Sequence, residues 1–522
     1  MDKTILKKFA VESRKDLMEK IKNKINTFYV DEEFKKEQKG EIYVLSNEKH
    51  SLSLTNEEYQ KRELLIKRIK ELSLEQVIEE AAYTWFNRII AIRYMEINDY
   101  LPLTKDNQSL GIRVLSSKDN TPDPEILKFT NLINPDLDID FKKEKYVELK
   151  DDNEKFKYVL LLVCKKLGRV IPQVFDGITD YIDILMPDNL LNDTGFITKI
   201  VNEVPEKNYN QVEIIGWLYQ YYNQTEKDKA MGFKKQYNKY EIPYVTQLFT
   251  PDWIVKYLVE NSLGRIWDES YPNSRSEKWR FYLNQNVIKK SKNILPEKIT
   301  FFDPCCGSGH ILVYAFEVLF QIYEEYGYNK KDISKKILEK NLFGLDIDER
   351  ASQLTILSVL LKAREYDKYI FNYEITSKLN IFSIPESVNI NEQLIEFLNE
   401  DNNKNTAKKL IELFKYGKDI GSLLIPNELN KENLFRLNNE LNNLDTIFGI
   451  ELKNKLNPLI NAANILMNKY KIVVTNPPYM SSTGMNIHLK EFVEKNYFTG
   501  KNDLFSAFII KCLECVLSLI HI

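Results

Sequence analysis

Five cysteines and four histidines in 522 residues leave little material for metal or disulfide chemistry. The cysteines (Cys164, Cys305, Cys306, Cys512, Cys515) are too few and too unevenly spaced for a disulfide framework. Cys512-Leu513-Glu514-Cys515 is a single C-x-x-C with no second pair to complete a tetrahedral site, so it reads as two apolar positions on a helix. The histidines are scattered, and no metal site is expected. Long apolar runs are missing too. No stretch reaches the ~18 residues that span a bilayer, and Met1-Asp2-Lys3-Thr4-Ile5-Leu6-Lys7-Lys8 lacks the apolar core of a signal peptide. A cytoplasmic protein without membrane contact is expected. Charge of one sign is also lacking: the net charge of −3 shows no overall basic face for nucleic acid. The one basic stretch, Arg275, Lys278, Arg280, Lys289, Lys290, Lys292 and Lys298, reads either as a solvated linker or as a phosphate-tracking surface.

What is present is a soluble-type composition, 43% hydrophobic and 29% charged, in a chain long enough for about two to four domains. Residues 1–240 read as a mainly helical domain. Thr55 with Glu58 and Ser73 with Gln76 have capping-box spacing. Ile78, Ala82, Trp85, Ile89 and Ile92 follow at helical period, the mark of a core stripe. Lys145 to Val170 and Ile214 to Tyr222 are further helix candidates, with a loop around Ser116 to Asp123. After residue 241 short apolar runs alternate with helical periods, the pattern of an α/β domain with a parallel sheet. Strands are expected at Ile299 to Phe302, Leu342 to Leu345 and Ile472 to Thr475. The α/β domain is assigned to 241–385 and 471–522, with a helical insertion at 386–470.

Chemistry concentrates in three places. Phe301-Phe302-Asp303-Pro304-Cys305-Cys306-Gly307-Ser308-Gly309-His310 is a strand, a carboxylate at its carboxyl end, a glycine loop and a helix starting near Ile311. Ligands of open α/β sheets bind at that edge, where a helix start offers free amides. Leu312 stands where a dinucleotide loop needs its third glycine, and no G-x-x-x-x-G-K-[ST] occurs, so neither dinucleotide nor Walker-type chemistry is indicated. The second strand delivers Gly344-Leu345-Asp346-Ile347-Asp348, and a carboxylate there can accept both hydroxyls of a ribose. Asp346 is the first candidate and Asp348 the alternative. Third, Val473-Val474-Thr475 runs into Asn476-Pro477-Pro478-Tyr479, by itself either a turn or a rigid loop suited to an exocyclic amino group.

This set resembles the N6-adenine DNA methyltransferases, in the branch where the glycine loop precedes Asn-Pro-Pro-Tyr. The resemblance implies a Rossmann-like domain, S-adenosyl-L-methionine as cofactor and double-stranded DNA with a flipped adenine as substrate. It makes Asp303, Pro304, Cys305, Gly307, Ser308, Gly309, Asp346 and Ile347 the cofactor cradle. Gln247-Leu248-Phe249-Thr250-Pro251-Asp252-Trp253-Ile254-Val255 is similar to the segment that folds over the cofactor, which adds Phe249, Thr250 and Pro251. Asn380, after a strand-like segment ending in Leu379, stands where the family often has an acidic contact to the cofactor adenine, a departure from the pattern. The Asn476 side-chain oxygen and the Pro477 carbonyl would accept the two amino hydrogens, Pro478 would stiffen the loop, and Tyr479 would stack on the base. Asp503 and Phe505, in Lys501-Asn502-Asp503-Leu504-Phe505, read either as pocket lining or as a helix cap and a core ring.

Outside these motifs, Ala82-Tyr83-Thr84-Trp85-Phe86-Asn87-Arg88, Arg93-Tyr94-Met95-Glu96, Ile215 to Tyr222 and Val259 to Gly264 resemble the adenine methyltransferases of BREX phage-exclusion systems, which implies self-marking in phage defence and partners among other BREX proteins. Three alternatives stay open: the same chemistry on RNA or protein; a fused restriction enzyme, from Pro135-Asp136 with Glu148-Leu149-Lys150; and a cofactor- and partner-binding module without transferase activity. The last draws on the few residues after Tyr479, from which a carboxyl-terminally truncated sheet and a missing target-recognition domain are expected.

Overall fold

The computed structural model describes residues 2–119, 123–131, 137–175, 181–232, 236–271, 279–283, 293–374, 378–388 and 390–517. The chain forms two compact units: Met1–Tyr222 with Phe371–Thr376, and Asn223–Ile370 with Ser377–Ile522.

The first unit contains α1 (Lys3–Asn26), a three-stranded antiparallel sheet of β1 (Lys35–Lys39), β2 (Ile42–Ser46) and β3 (Ser51–Thr55), then α2 (Asn56–Glu71), α3 (Leu74–Ile97), α4 (Asp152–Val170) and α5 (Glu213–Tyr222). Thr55 and Glu58 make the full reciprocal capping box at α2, whereas Ser73 accepts the Gln76 amide without the return bond. The expected stripe is buried, and from Trp85 to Glu96 every residue of α3 is buried. Arg93 and Glu96 are therefore structural. They pair at 2.5 Å, and the other Glu96 oxygen accepts the amides of Val114 and Leu115 at 2.8 and 2.7 Å. A buried charge pair survives only when its remaining bonding capacity is filled. The helix expected over Lys145 to Val170 is two pieces, Lys143–Val147 and α4, because Asp151 caps the Glu154 amide and restarts the turn. The sheet at 35–55 is absent from the sequence reading: Lys-Lys-Glu-Gln-Lys has no alternation, and β1 is exposed throughout.

The second unit is a mixed α/β body around a parallel sheet. Its parts are α6 (Asp252–Val259), β4 (Phe301–Asp303), α7 (His310–Tyr326), β5 (Leu342–Asp346), α8 (Glu349–Tyr366), β6 (Asn380–Ser383), α9 (Asp401–Leu413), α10 (Lys431–Asn442), α11 (Ile447–Met467), β7 (Ile472–Val473) and α12 (Leu504–Cys515). The order in the sheet is β6-β5-β4-β7, all parallel. Side chains alternate across a strand. Phe302 and Leu345 therefore face a core shared with Leu410, Leu437 and Leu456 of α9, α10 and α11. Gly344 faces the other way, where an added Cβ would stand 3.0 Å from Leu312 of α7. The sheet is thus covered on both faces, as parallel sheets require. The chain runs outward from β4 to β6 and returns to place β7 on the opposite side of β4. Such a reversal opens a crevice at the carboxyl ends of the two strands it separates. No helix among the described residues is long and apolar enough to cross a membrane.

Candidate cofactor and base site

The reversal brings the glycine loop after β4 beside the Asn-Pro-Pro-Tyr loop after β7, with Phe302 accepting the Val474 amide at 3.0 Å between them. The glycine loop is tied down from several sides. The Gly307 amide donates to Asp346 Oδ2 at 2.8 Å, the Cys306 amide to the Leu345 carbonyl at 2.9 Å, Thr355 Oγ1 to the Gly307 carbonyl at 2.8 Å and Ser422 Oγ to the Pro304 carbonyl at 2.6 Å. Gly307 and Gly309 have φ of +55 and +89°, the region that favours glycine. A Cβ on Gly309 would lie 3.0 Å from Thr355 Cα, while one on Gly307 would meet nothing within 4 Å, so the loop is open on that side. α7 begins at His310 with no side-chain cap on its first amides.

Two carboxylates stand at this edge. Asp303 is 1% exposed. Its Oδ1 accepts the Cys305 amide at 3.1 Å, and Oδ2 has no hydrogen-bond partner among the described residues. Burial pushes its carboxyl up to about 7, against the pull of the nearby Thr475 hydroxyl and the Cys305 amide. Asp346 is likewise raised, to about 6, by burial. Its second oxygen accepts the Asp348 amide at 2.9 Å. Asp348 is committed elsewhere: it caps α8 through the Arg350 amide and pairs with the Arg350 guanidinium at 3.1 Å. The geometry therefore favours Asp346 as the polar contact. Ile347 follows it, and its carbonyl accepts Lys418 Nζ at 2.8 Å; burial lowers the pKa of that lysine.

Gln247 to Pro251 lies against both loops. Phe249 packs edge-on to the His310 ring with centroids 3.6 Å apart, Thr250 is buried, Pro251 caps α6, and the Leu248 carbonyl accepts Asn476 Nδ2 at 3.2 Å. Asn476, Pro477 and Pro478 are half-buried. The Tyr479 hydroxyl donates to Asn476 Oδ1 at 3.2 Å, and its ring, 52% exposed, lies 5.9 Å from that of Phe505. Asp503 caps α12 by accepting the Phe505 amide at 3.2 Å. Phe505 itself is 37% exposed beside Tyr479 rather than a core ring.

One expected residue is displaced. Asn380 opens β6 instead of following a strand, pairs in register with Phe343 and donates to the Glu339 carbonyl at 3.1 Å. The carboxyl end of β6 is Ser383, three residues and about 10 Å farther on. Asn380 therefore sits at the opposite edge of the sheet and is corrected to a structural residue. The sequence reading missed Thr475, Lys418, Thr355 and the Leu248 carbonyl. Thr475 had a signal in its place next to the tetrapeptide; a lysine in an insertion and a main-chain carbonyl had none. Pro135 and Asp136 lie outside the described residues, and Glu148 and Lys150 are exposed where a helix ends. Of the basic stretch, Arg275, Lys278, Lys289, Lys290 and Lys292 lie outside them too, as do residues 518–522.

The reversal of the parallel sheet thus sets the glycine loop and the Asn-Pro-Pro-Tyr loop side by side at the carboxyl ends of β4 and β7. Residues 266–382 match the family model described as N-6 DNA Methylase, and residues 340–519 the one described as Eco57I restriction-modification methylase. Over 98% of its length the chain is 35% identical to the adenine-specific methyltransferase PglX of Lacticaseibacillus casei (strain Zhang), and equally to the adenine-specific methyltransferase BrxX of Escherichia coli O9:H4 (strain HS). The chain spans 45% of the length of each of these curated relatives. The resemblance read from the motifs is thus borne out. A solved structure, a DrdV–DNA complex, aligns with 92% of this chain and 39% of its own at 11% identity and a TM-score of 0.29.

Proposed function

We propose that this chain carries the catalytic part of an adenine-specific DNA methyltransferase, moving a methyl group from S-adenosylmethionine to the adenine N6 amino group. In this reading the second unit is a Rossmann-like cofactor domain that follows a helical amino-terminal domain in sequence, and the enzyme marks cytoplasmic DNA in BREX-type phage defence, beside other proteins of that system. The observation that carries it is the apposition of the Asn476 loop and the glycine loop on adjacent strands.

The residues at the crevice fit the cofactor. Asp346 offers its carboxylate to ribose hydroxyls, the open face of Gly307 leaves room for close approach, and the unpartnered Asp303 Oδ2 offers an acceptor. When bound, S-adenosylmethionine supplies an electrophilic methyl group on a sulfonium. Asn476 Oδ1 and the Pro477 carbonyl accept the two amino hydrogens and draw the nitrogen lone pair out of the ring. The two prolines hold these acceptors in place beforehand, which is electrostatic preorganisation. The adenine has to leave the duplex to reach them, and the half-exposed Tyr479 ring offers a stacking surface. No metal ion enters this scheme.

The test is incorporation of labelled methyl groups into DNA, RNA and protein side by side. DNA alone should be labelled, and Asn476→Ala should lower the rate by about 10²–10³-fold, as for loss of one preorganised contact. Cofactor affinity should stay within about fivefold, the worth of one ordinary hydrogen bond. Cofactor binding without labelling of any substrate would assign the chain as a binding module instead.

A further inference from the structure

We propose that the main-chain carbonyl of Leu248 aims the side-chain amide of Asn476, making the segment beside the glycine loop and the base-gripping loop one coupled unit. This rests on the reading of Asn476 as an amino-group acceptor and asks what aims it. A side-chain amide has an accepting end and a donating end of nearly the same shape. Only the accepting end can take an amino hydrogen; turned around, Asn476 would set N–H against N–H. The prolines do not settle the choice, because they fix the backbone while the terminal amide torsion stays broad and roughly two-fold. A carbonyl does settle it. Leu248 O has nothing to donate, so Nδ2 faces it at 3.2 Å and Oδ1 is left for the other side. There the Tyr479 hydroxyl donates to it at 3.2 Å, in the role an amino hydrogen would play.

Leu248 is itself held by its neighbours. Gln247 accepts at its side-chain oxygen from Asn223 Nδ2 (3.1 Å) and at its carbonyl from Lys227 Nζ (2.5 Å). Phe249 is wedged against His310, and Pro251 begins α6. A segment fixed at Gln247, Phe249 and Pro251 carries the Leu248 carbonyl at a set height. Cofactor contacts at Phe249 and Thr250 therefore bias the Asn476 amide, and by linkage a base on Asn476 biases the segment equally.

Asn476→Asp tests this directly, because it keeps an acceptor but loses the donor. Ionised, it is repelled by Leu248 O; protonated, it can donate again. Tyr479→Phe removes only the partner on the other side. Hydrogen exchange of the unliganded chain is followed in peptides covering 242–259, relative to wild type at each pH. Asn476→Asp should speed exchange there about fivefold at pH 7 to 8, the size expected for one hydrogen bond. The difference should close as pH falls toward the carboxyl range near 4. Tyr479→Phe should leave these peptides within about twofold. A difference that ignores pH, no difference, or an equal effect of Tyr479→Phe would overturn the proposal. Titration of wild type with S-adenosylhomocysteine examines the function itself: no binding removes that reading without touching the exchange result.

Discussion

Replacing Asp346 by alanine takes three things from the crevice: the acceptor that holds the Gly307 amide, the acceptor for the Asp348 amide, and a negative charge at the carboxyl end of β5. Hydrogen bonds to a charged group contribute about 1.5–3 kcal/mol each. With Asp346 in its proposed role two ribose contacts go as well, and with water as partial replacement cofactor binding should weaken by about 3–4 kcal/mol, or roughly 10²–10³-fold in Kd. The pH dependence supplies a second signature. Burial holds the Asp346 carboxyl at about 6, and the ionised form is the one that accepts hydroxyls. Wild-type affinity should therefore be full above pH 7 and decline as pH falls through 6, by up to about tenfold per unit. The alanine variant should lack that part of the decline, which separates Asp346 from Asp303 titrating nearby. Calorimetric titration with S-adenosylhomocysteine between pH 5 and 8 measures both effects. Asp348→Ala is the control: it removes a helix cap costing about 1 kcal/mol of stability and should change affinity less than about threefold. An Asp346→Ala protein that binds within threefold of wild type at pH 8 would refute the assignment.

The two loop glycines should separate stability from binding. Gly309→Ala combines a left-handed backbone with a close approach to Thr355, so it should lower stability by about 2 kcal/mol or more in thermal melts, whereas Gly307→Ala meets only the backbone strain, costs about 1 kcal/mol and weakens cofactor binding more than its small melting shift implies. Asp303→Asn keeps an oxygen for the Cys305 amide and removes a buried charge. Because the folded carboxyl near 7 lies above its unfolded value, the cost of ionisation is full above pH 7 and shrinks steadily as pH falls from 7 toward the unfolded carboxyl range near 4. The variant should melt above wild type at pH 8, by at most about 4 kcal/mol in stability, keep less than half of that advantage at pH 5 and lose it below about pH 4; a deficit at every pH would count against the buried-charge account.

The parallel sheet and both site loops were legible in the sequence because each rests on local signals: an apolar run, then Asp, Gly or Pro at the strand end. Asp346 stood out over Asp348 only by position, and the structure adds the reason, since Asp348 is spent on capping α8 and pairing Arg350. Asn380 failed for the opposite reason. Asn-Ile-Phe-Ser is itself the strand, and register, which moved the residue to the far edge, depends on pairing with β5 rather than on local sequence. Arg93 and Glu96 caught the eye as a family signature, yet their burial shows that such a signature can mark a scaffold as readily as a site. The hairpin strands near residue 40 were illegible because an exposed, charged strand carries no apolar period.

The order of strands in the sheet also sets an order in time. β4 and β5 are close in sequence and joined through α7, so the glycine loop and Asp346 can come together early, at small loop-closure cost. β7 reaches β4 only across the long excursion through α9, α10 and α11, pairing residue 472 with residue 301. Closing so long a loop costs more entropy than joining β4 to β5, so this pairing is expected after the other. Under the proposed function, a half-folded chain would hold its nucleotide cradle assembled while its base-gripping loop is still missing.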